Sequence, residues 1–161
     1  MSMLNKSRDP VCQMLVESDL YVIIYMENKY LFCSQQCKDR FLSNPYLYIG
    51  KPGKPSPKQR GSVVIKQRVI KLDHVIPDDI QQHITDTLNQ MMGIRDITIQ
   101  QDTIKISYDL LEVTINQIES ALEKTGNQLS SSWGDILKRA FINYFEETEI
   151  ANLENGSDKH C

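Results

Sequence analysis

Apolar residues fall into short, distinct patterns along the chain. Tyr21–Met26 (YVIIYM) is rich in β-branched and aromatic residues, and Tyr30-Leu31-Phe32 repeats that character after Glu27-Asn28-Lys29. Residues 20–32 therefore read as a β-hairpin. Ser34 is placed to cap a helix over 35–42, which stops before Asn44-Pro45. Ser62–Leu72 (SVVIKQRVIKL) predicts a strand. Pro77 opens a helix over 78–92, with Asp78 and Asp79 in its first turn and Ile80, Ile84, Leu88 and Met91 at helical spacing. Gly93 ends it. Ile94–Gln101 and Thr103–Tyr108 both alternate around a turn at Asp102. A second helix follows over 114–125, with Ile115, Ile118, Ala121 and Leu122 on one face and Gly126 at its end. Asn127–Leu129 is a final short strand candidate.

The order β-α-β-β-α-β in 62–130 predicts a ferredoxin-like split βαβ arrangement. Such a sheet has one uncovered face. Residues 131–150 offer a cover, because Trp133, Ile136, Leu137, Ala140, Phe141, Tyr144 and Phe145 recur at helical spacing after Ser132-x-x-Asp135. Packing on the sheet is the expectation for this amphipathic helix, with a dimer or partner contact as the alternative. A membrane-surface helix would carry more cations than Lys138 and Arg139, which are followed by Glu146, Glu147 and Glu149.

Between the two patterned regions lies KPGKPSPKQRG, residues 51–61, with four bases, three prolines and no acid. That composition reads as a linker. The expected organisation is a first domain over 1–50, the linker over 51–61, a second domain over 62–130, the amphipathic helix over 131–150 and a mobile polar tail over 151–161. The fold class is α+β: a small hairpin-plus-helix domain, then a ferredoxin-like βαββαβ domain with an added helix.

Composition narrows the function classes. The chain has 161 residues, 18 Lys and Arg against 21 Asp and Glu, and a net charge of −3. No basic excess points to nucleic acid. No apolar run reaches transmembrane length, and MSMLNKSRDP lacks the apolar core of a secretory signal, so the expected location is the cytoplasm. No nucleophile elbow, phosphate loop or paired-carboxylate motif is present, so no enzymatic activity is expected.

The cysteines carry the chemistry. There are four, and in a reducing compartment clustered cysteines bind metal or do redox chemistry more often than they form structural disulfides. Cys33 and Cys37 stand four apart at the start of the predicted helix, where its N-terminus favours thiolates. Cys12 comes from an earlier loop, giving Cys-x20-Cys-x3-Cys. A piece below about 70–80 residues commonly needs a staple, and a bound metal would be one.

Asp9-Pro10-Val11-Cys12-Gln13-Met14, Tyr30-Leu31-Phe32-Cys33-Ser34-Gln35-Gln36-Cys37, Phe41, Asn44-Pro45 and Tyr48 resemble the YHS domain, a TRASH-like metal-binding module. The resemblance implies that Cys12, Cys33 and Cys37 are metal ligands. Gln13 stands where the family usually has Gly, and Leu31 where members often have His. Three thiolates suit Cu(+) or Zn(2+). The fourth position is open to water, Met14, the tail residues His160 and Cys161, or a partner's thiol.

Residues 64–129 resemble a heavy-metal-associated (HMA) domain, through Gly93-Ile94-Arg95-Asp96-Ile97, Ile104–Asp109 and Ile115…Ile118…Ala121-Leu122…Gly126. Where that family carries Met-x-Cys-x-x-Cys, this chain has Asp73-His74-Val75-Ile76-Pro77-Asp78. The paired thiols are absent, which leaves a docking or dimerisation surface as the expected role.

These readings converge on a cytosolic protein that binds copper(I) or zinc(II) through three thiolates for trafficking, sequestration or sensing. Expected partners are the metal ion, a heavy-metal P-type ATPase or another metal-handling protein, and a second copy of the chain. The alternative is a non-catalytic adapter with a structural zinc in its first domain.

Overall fold

The computed structural model describes residues 6–141, 150, 153 and 154. The chain forms two compact units, one running to Val63 and taking in 146–161, the other covering 64–145.

In the first unit, β1 (Ser7–Arg8) pairs antiparallel with β2 (Leu15–Val16), and β3 (Val22–Tyr25) with β4 (Asn28–Leu31). The hairpin expected from the alternating aromatics is formed. Its loop is the two-residue Met26-Glu27, one position earlier than Glu27-Asn28-Lys29 suggests. Both loop residues have positive φ (49° and 68°), the conformation that matches the twist of a tight hairpin. Helix α1 (Gln35–Ser43) is capped by Ser34, whose hydroxyl accepts from the Cys37 amide at 3.3 Å. A 3-10 turn at Pro45–Leu47 follows.

Phe41 on α1 is the hub of a small core. Its ring centroid lies 5.2 Å from those of Tyr30 and Phe32, 5.8 Å from Tyr25 and 6.0 Å from Tyr48. Aromatic side chains bury much apolar area each, which matters in so short a segment. Arg40 is fully buried here. It donates to Asn44 Oδ1 at 2.8 Å and lies 5.8 Å from the centre of the Tyr48 ring. The Pro/Gly/Lys segment is a series of hydrogen-bonded turns: Lys54 N donates to Lys51 O, Lys58 N to Leu47 O and Arg60 N to Ser56 O.

The second unit has three antiparallel strands, β5 (Ile65–Lys71), β6 (Ile94–Gln100) and β7 (Thr103–Asp109), in the order β5-β7-β6. Ile104, Ile106 and Tyr108 of the central strand are fully buried. They share their face with Ile70, which pairs with Ile104, and with Ile97 and Ile99. The core is completed by Ile80, Ile84 and Leu88 of α2 (Asp78–Asn89) and by Ile115, Ile118 and Leu122 of α3 (Ile115–Leu129). Helix α3 starts with a reciprocal capping box between Thr114 and Gln117.

Several expectations for this unit are corrected. The strand expected at Asn127–Leu129 is absent, because α3 continues through Gly126 to Leu129; the described order is β-α-β-β-α-α. Gly126 does not terminate that helix. A Cβ there would lie 3.0 Å from the Gly134 backbone and 2.8 Å from Leu137 Cδ1, so the glycine serves close helix packing. Helix α4 (Ser131–Ala140) is capped by Ser130, not Ser132, and packs on α3, not on the sheet. Its side of the contact is Gly134, Ile136, Leu137 and Ala140, all buried. Likewise α2 stops at Asn89, and Gly93 (φ 84°) turns the chain into β6. Of the helix expected to Ile150, residues 142–149 lie outside the described residues, as does most of the tail; Leu153 and Glu154 are helical.

Candidate metal centre

Three separate local structures deliver the cysteines. Cys12 sits in the turn between β1 and β2, which is closed by Asp9 N donating to Met14 O and Gln13 N donating to Asp9 O, both at 2.8 Å. Gln13 holds φ 67° there, the left-handed conformation that glycine adopts freely. The tight turn after Cys12, which Gln in the family's glycine position puts in doubt, is formed with Gln in the left-handed conformation. Its side chain donates to Pro10 O at 3.3 Å. Cys33 lies two residues past the end of β4, after Phe32. Cys37 lies on the first turn of α1 and is fully buried, whereas Cys12 and Cys33 are half-buried.

All three sulfurs meet. Cys12 Sγ is 3.5 Å from Cys33 Sγ, and Cys33 Sγ is 3.6 Å from Cys37 Sγ. These separations exceed a disulfide bond of about 2.05 Å, and the cysteines are free. Zinc–sulfur bonds of about 2.3 Å at a tetrahedral angle would set sulfurs about 3.8 Å apart. The observed spacing is close to that, and the donor set is soft, so the residues fit a metal ion.

Asp9 completes the cluster. It is fully buried, and its ligand oxygen and the three sulfurs all lie within 4.8 Å of one another. Both carboxylate oxygens are already engaged. Oδ1 accepts from Val11 N at 2.7 Å and Cys12 N at 3.2 Å; Oδ2 accepts from Cys33 N at 2.8 Å. Sequence reasoning used Asp9 only as part of a motif. The signal it overlooked is Asp followed by Pro two residues short of an amide, the setting in which an Asp side chain bonds its own downstream backbone.

The thiol acidities reverse one expectation. A helix N-terminus favours thiolates at Cys33 and Cys37, yet both are raised. Burial first, and the Asp9 carboxylate as well, push Cys33 up to about 11. Cys37 is raised because it donates to Cys12, then by burial and by Asp9. Cys12 is lowered, chiefly by that same hydrogen bond from Cys37. At Cys33 desolvation is the largest cause, and at Cys37 the hydrogen bond to Cys12 is, with burial and the Asp9 carboxylate adding to it, so the helix terminus does not decide either acidity.

Met14 is 52% exposed, and its described role is backbone: its carbonyl accepts from Asp9 N. His160 and Cys161 lie outside the described residues. The second unit's β5–α2 loop holds no such cluster among the described residues. His74 Nδ1 is 2.7 Å from Asp73 Oδ1, and Asp73 Oδ2 accepts from Arg139 Nε at 3.1 Å, an exposed tie between that loop and α4.

Residues 7–51 match the YHS domain family. The matched stretch contains all four residues of the cluster and every element that positions them. The match ends short of β5, and the HMA resemblance of the second unit has no support from it. No curated protein and no solved structure matches the chain. Three cysteines and a carboxylate in a YHS segment form a cluster of the kind that can hold a metal ion. No helix among the described residues is long and apolar enough to cross a membrane.

Proposed function

We propose that the chain binds one soft or borderline ion, copper(I) or zinc(II), on Cys12, Cys33 and Cys37, and serves metal trafficking, sequestration or sensing without catalysing a reaction. The observation that carries this reading is the convergence of three free sulfurs, with Cys33 Sγ 3.5 Å from Cys12 Sγ and 3.6 Å from Cys37 Sγ, from a turn, the segment after β4 and a helix start. Three protein thiolates leave a tetrahedral ion one ligand short, which suits transfer more than permanent storage. Cys12 and Cys33 are the half-buried members, so an incoming thiol would meet them first. The reading asks for a reducing compartment such as the cytoplasm. It also asks for a partner that offers or accepts thiol-bound metal, a heavy-metal P-type ATPase among the candidates.

A second reading is favoured by one observation. Cys37 is fully buried on the helix that carries the Phe41 core, so the ion could instead staple the first unit while other surfaces act as an adapter. Exchange separates the two. A cargo ion passes to a chelator while the aromatic near-UV signal of the first unit persists. A staple leaves only together with that signal. Metal loss without loss of the signal supports trafficking; inseparable loss supports the adapter.

A further inference from the structure

Asp9 has the donor chemistry of a fourth ligand, but its bonds give it another task. We infer that Asp9 is the positioning residue of this centre: its carboxylate holds the backbones of Cys12 and Cys33 together and does not ligate the metal. This rests on the reading that the three thiolates bind an ion.

A carboxylate offers about four acceptor positions. Three are occupied, by the amides of Val11, Cys12 and Cys33. The Cys33 bond spans 24 residues and ties the Cys12 turn to the segment that follows β4. It fixes the peptide from which Cys33 Sγ projects, while Oδ1 fixes the peptide of Cys12. The two sulfurs reach 3.5 Å because one buried side chain grips both backbones. One acceptor position is left, on Oδ2 beside the Cys33 amide, and an ion drawn there would compete with the bond that sets Cys33. An unpaired buried amide is strongly disfavoured. Ligand-orienting groups of this kind are as much a part of a metal site as the ligands.

Asp9→Asn separates the two roles. The Asn oxygen can still serve Val11 and Cys12, but its NH2 group faces the Cys33 N–H, donor against donor. Cobalt(II) is the probe, added anaerobically to the full chain. If Asp9 positions, the variant loses about one third of the thiolate-to-cobalt charge-transfer absorption as Cys33 withdraws, and its cobalt dissociation constant rises about tenfold or more. If Asp9 ligates, the three-thiolate charge-transfer intensity per bound cobalt persists and only the ligand-field bands move; that result overturns the inference.

A wild-type measurement covers the case of a misfolded variant. The Cys33 amide proton should remain downfield and exchange-protected both metal-free and after zinc(II) addition. Its loss of shift and protection on loading would mean the carboxylate has moved to the metal, and the inference fails. Wild-type protein that shows no cobalt charge-transfer bands and binds no zinc overturns the metal-site reading itself, and the inference with it.

Discussion

Cys12 Sγ and Cys33 Sγ lie 3.5 Å apart although they stand 21 positions apart in sequence. Neither residue's own element brings this about. The turn that carries Cys12 and the segment after β4 that carries Cys33 are joined through the buried Asp9 carboxylate. The fold of the first unit thus brings the four candidate ligand atoms within 4.8 Å of one another.

The three sulfurs should not be equivalent when removed. Cys12→Ser and Cys33→Ser, both at half-buried positions, should each weaken zinc binding about 100-fold or more while the metal-free protein keeps its unfolding midpoint. Cys37→Ser should weaken binding similarly and also lower that midpoint, because it puts a hydroxyl into a fully buried site. Chelator competition and denaturant melts of the three variants test this; identical melts would refute it.

Acidity gives opposite pH signs for the loaded and metal-free states. Cys33, at about 11, and Cys37, also raised, carry protons at neutral pH that an ion must displace. Zinc affinity should therefore climb between pH 6 and 8, by at least about two log units per pH unit, because both of these thiols are protonated throughout that range. In the metal-free protein the raised Cys33 favours folding below its ordinary value near 9, and that contribution is lost as pH rises toward 11. Competition titrations and melts across this range read both slopes. An affinity flat in pH would contradict the assignment.

Gln13 at φ 67° is a strained position next to the centre. A left-handed non-glycine residue costs about 1–2 kcal/mol, against about 0.5–1 kcal/mol for the extra freedom of an unfolded glycine. Gln13→Gly should stabilise the first unit by about 0.5–1 kcal/mol in urea denaturation and leave metal stoichiometry unchanged. A loss of stability would mean that the Gln13 side-chain bond to Pro10 O outweighs the backbone strain.

Gly126 sets the approach of α3 to α4. Gly126→Leu should destabilise the second unit by about 2 kcal/mol, the usual scale for overpacking. Gly126→Ala should be milder, since a helical alanine regains about 1 kcal/mol over glycine. Thermal unfolding followed by helical circular dichroism measures both. Unchanged melting of the leucine variant would show that the helices do not rely on this crossing.

Local chemistry explains which features were legible in the sequence. The hairpin was visible because Tyr21–Met26 and Tyr30–Phe32 are β-branched and aromatic. Helix α1 was visible because Ser34 is a capping residue placed before a polar helix. The pairing of β6 with β7 followed from strict alternation on either side of Asp102. Gly126 misled because a glycine at a helix end and a glycine at a helix crossing look alike in one dimension; only the Gly134 backbone at 3.0 Å distinguishes them. Removing that stop signal let α3 absorb Asn127–Leu129. The cysteine cluster was legible through its motif, but Asp9's part in it was not. Its three amide donors come from residues 2, 3 and 24 positions away, and the last of these is set by tertiary structure. The thiol acidities were hidden for the same reason: they depend on burial beside Asp9, which no spacing encodes.

The central claim is that Cys12, Cys33 and Cys37 hold one metal ion. Elemental mass spectrometry of anaerobically purified wild type and of the Cys33→Ser/Cys37→Ser double variant tests it most directly. About one equivalent of zinc or copper in wild type after reconstitution, and essentially none in the variant, is the predicted result. Equal metal content in the two proteins, or none in folded wild type after reconstitution with either ion, would contradict the account.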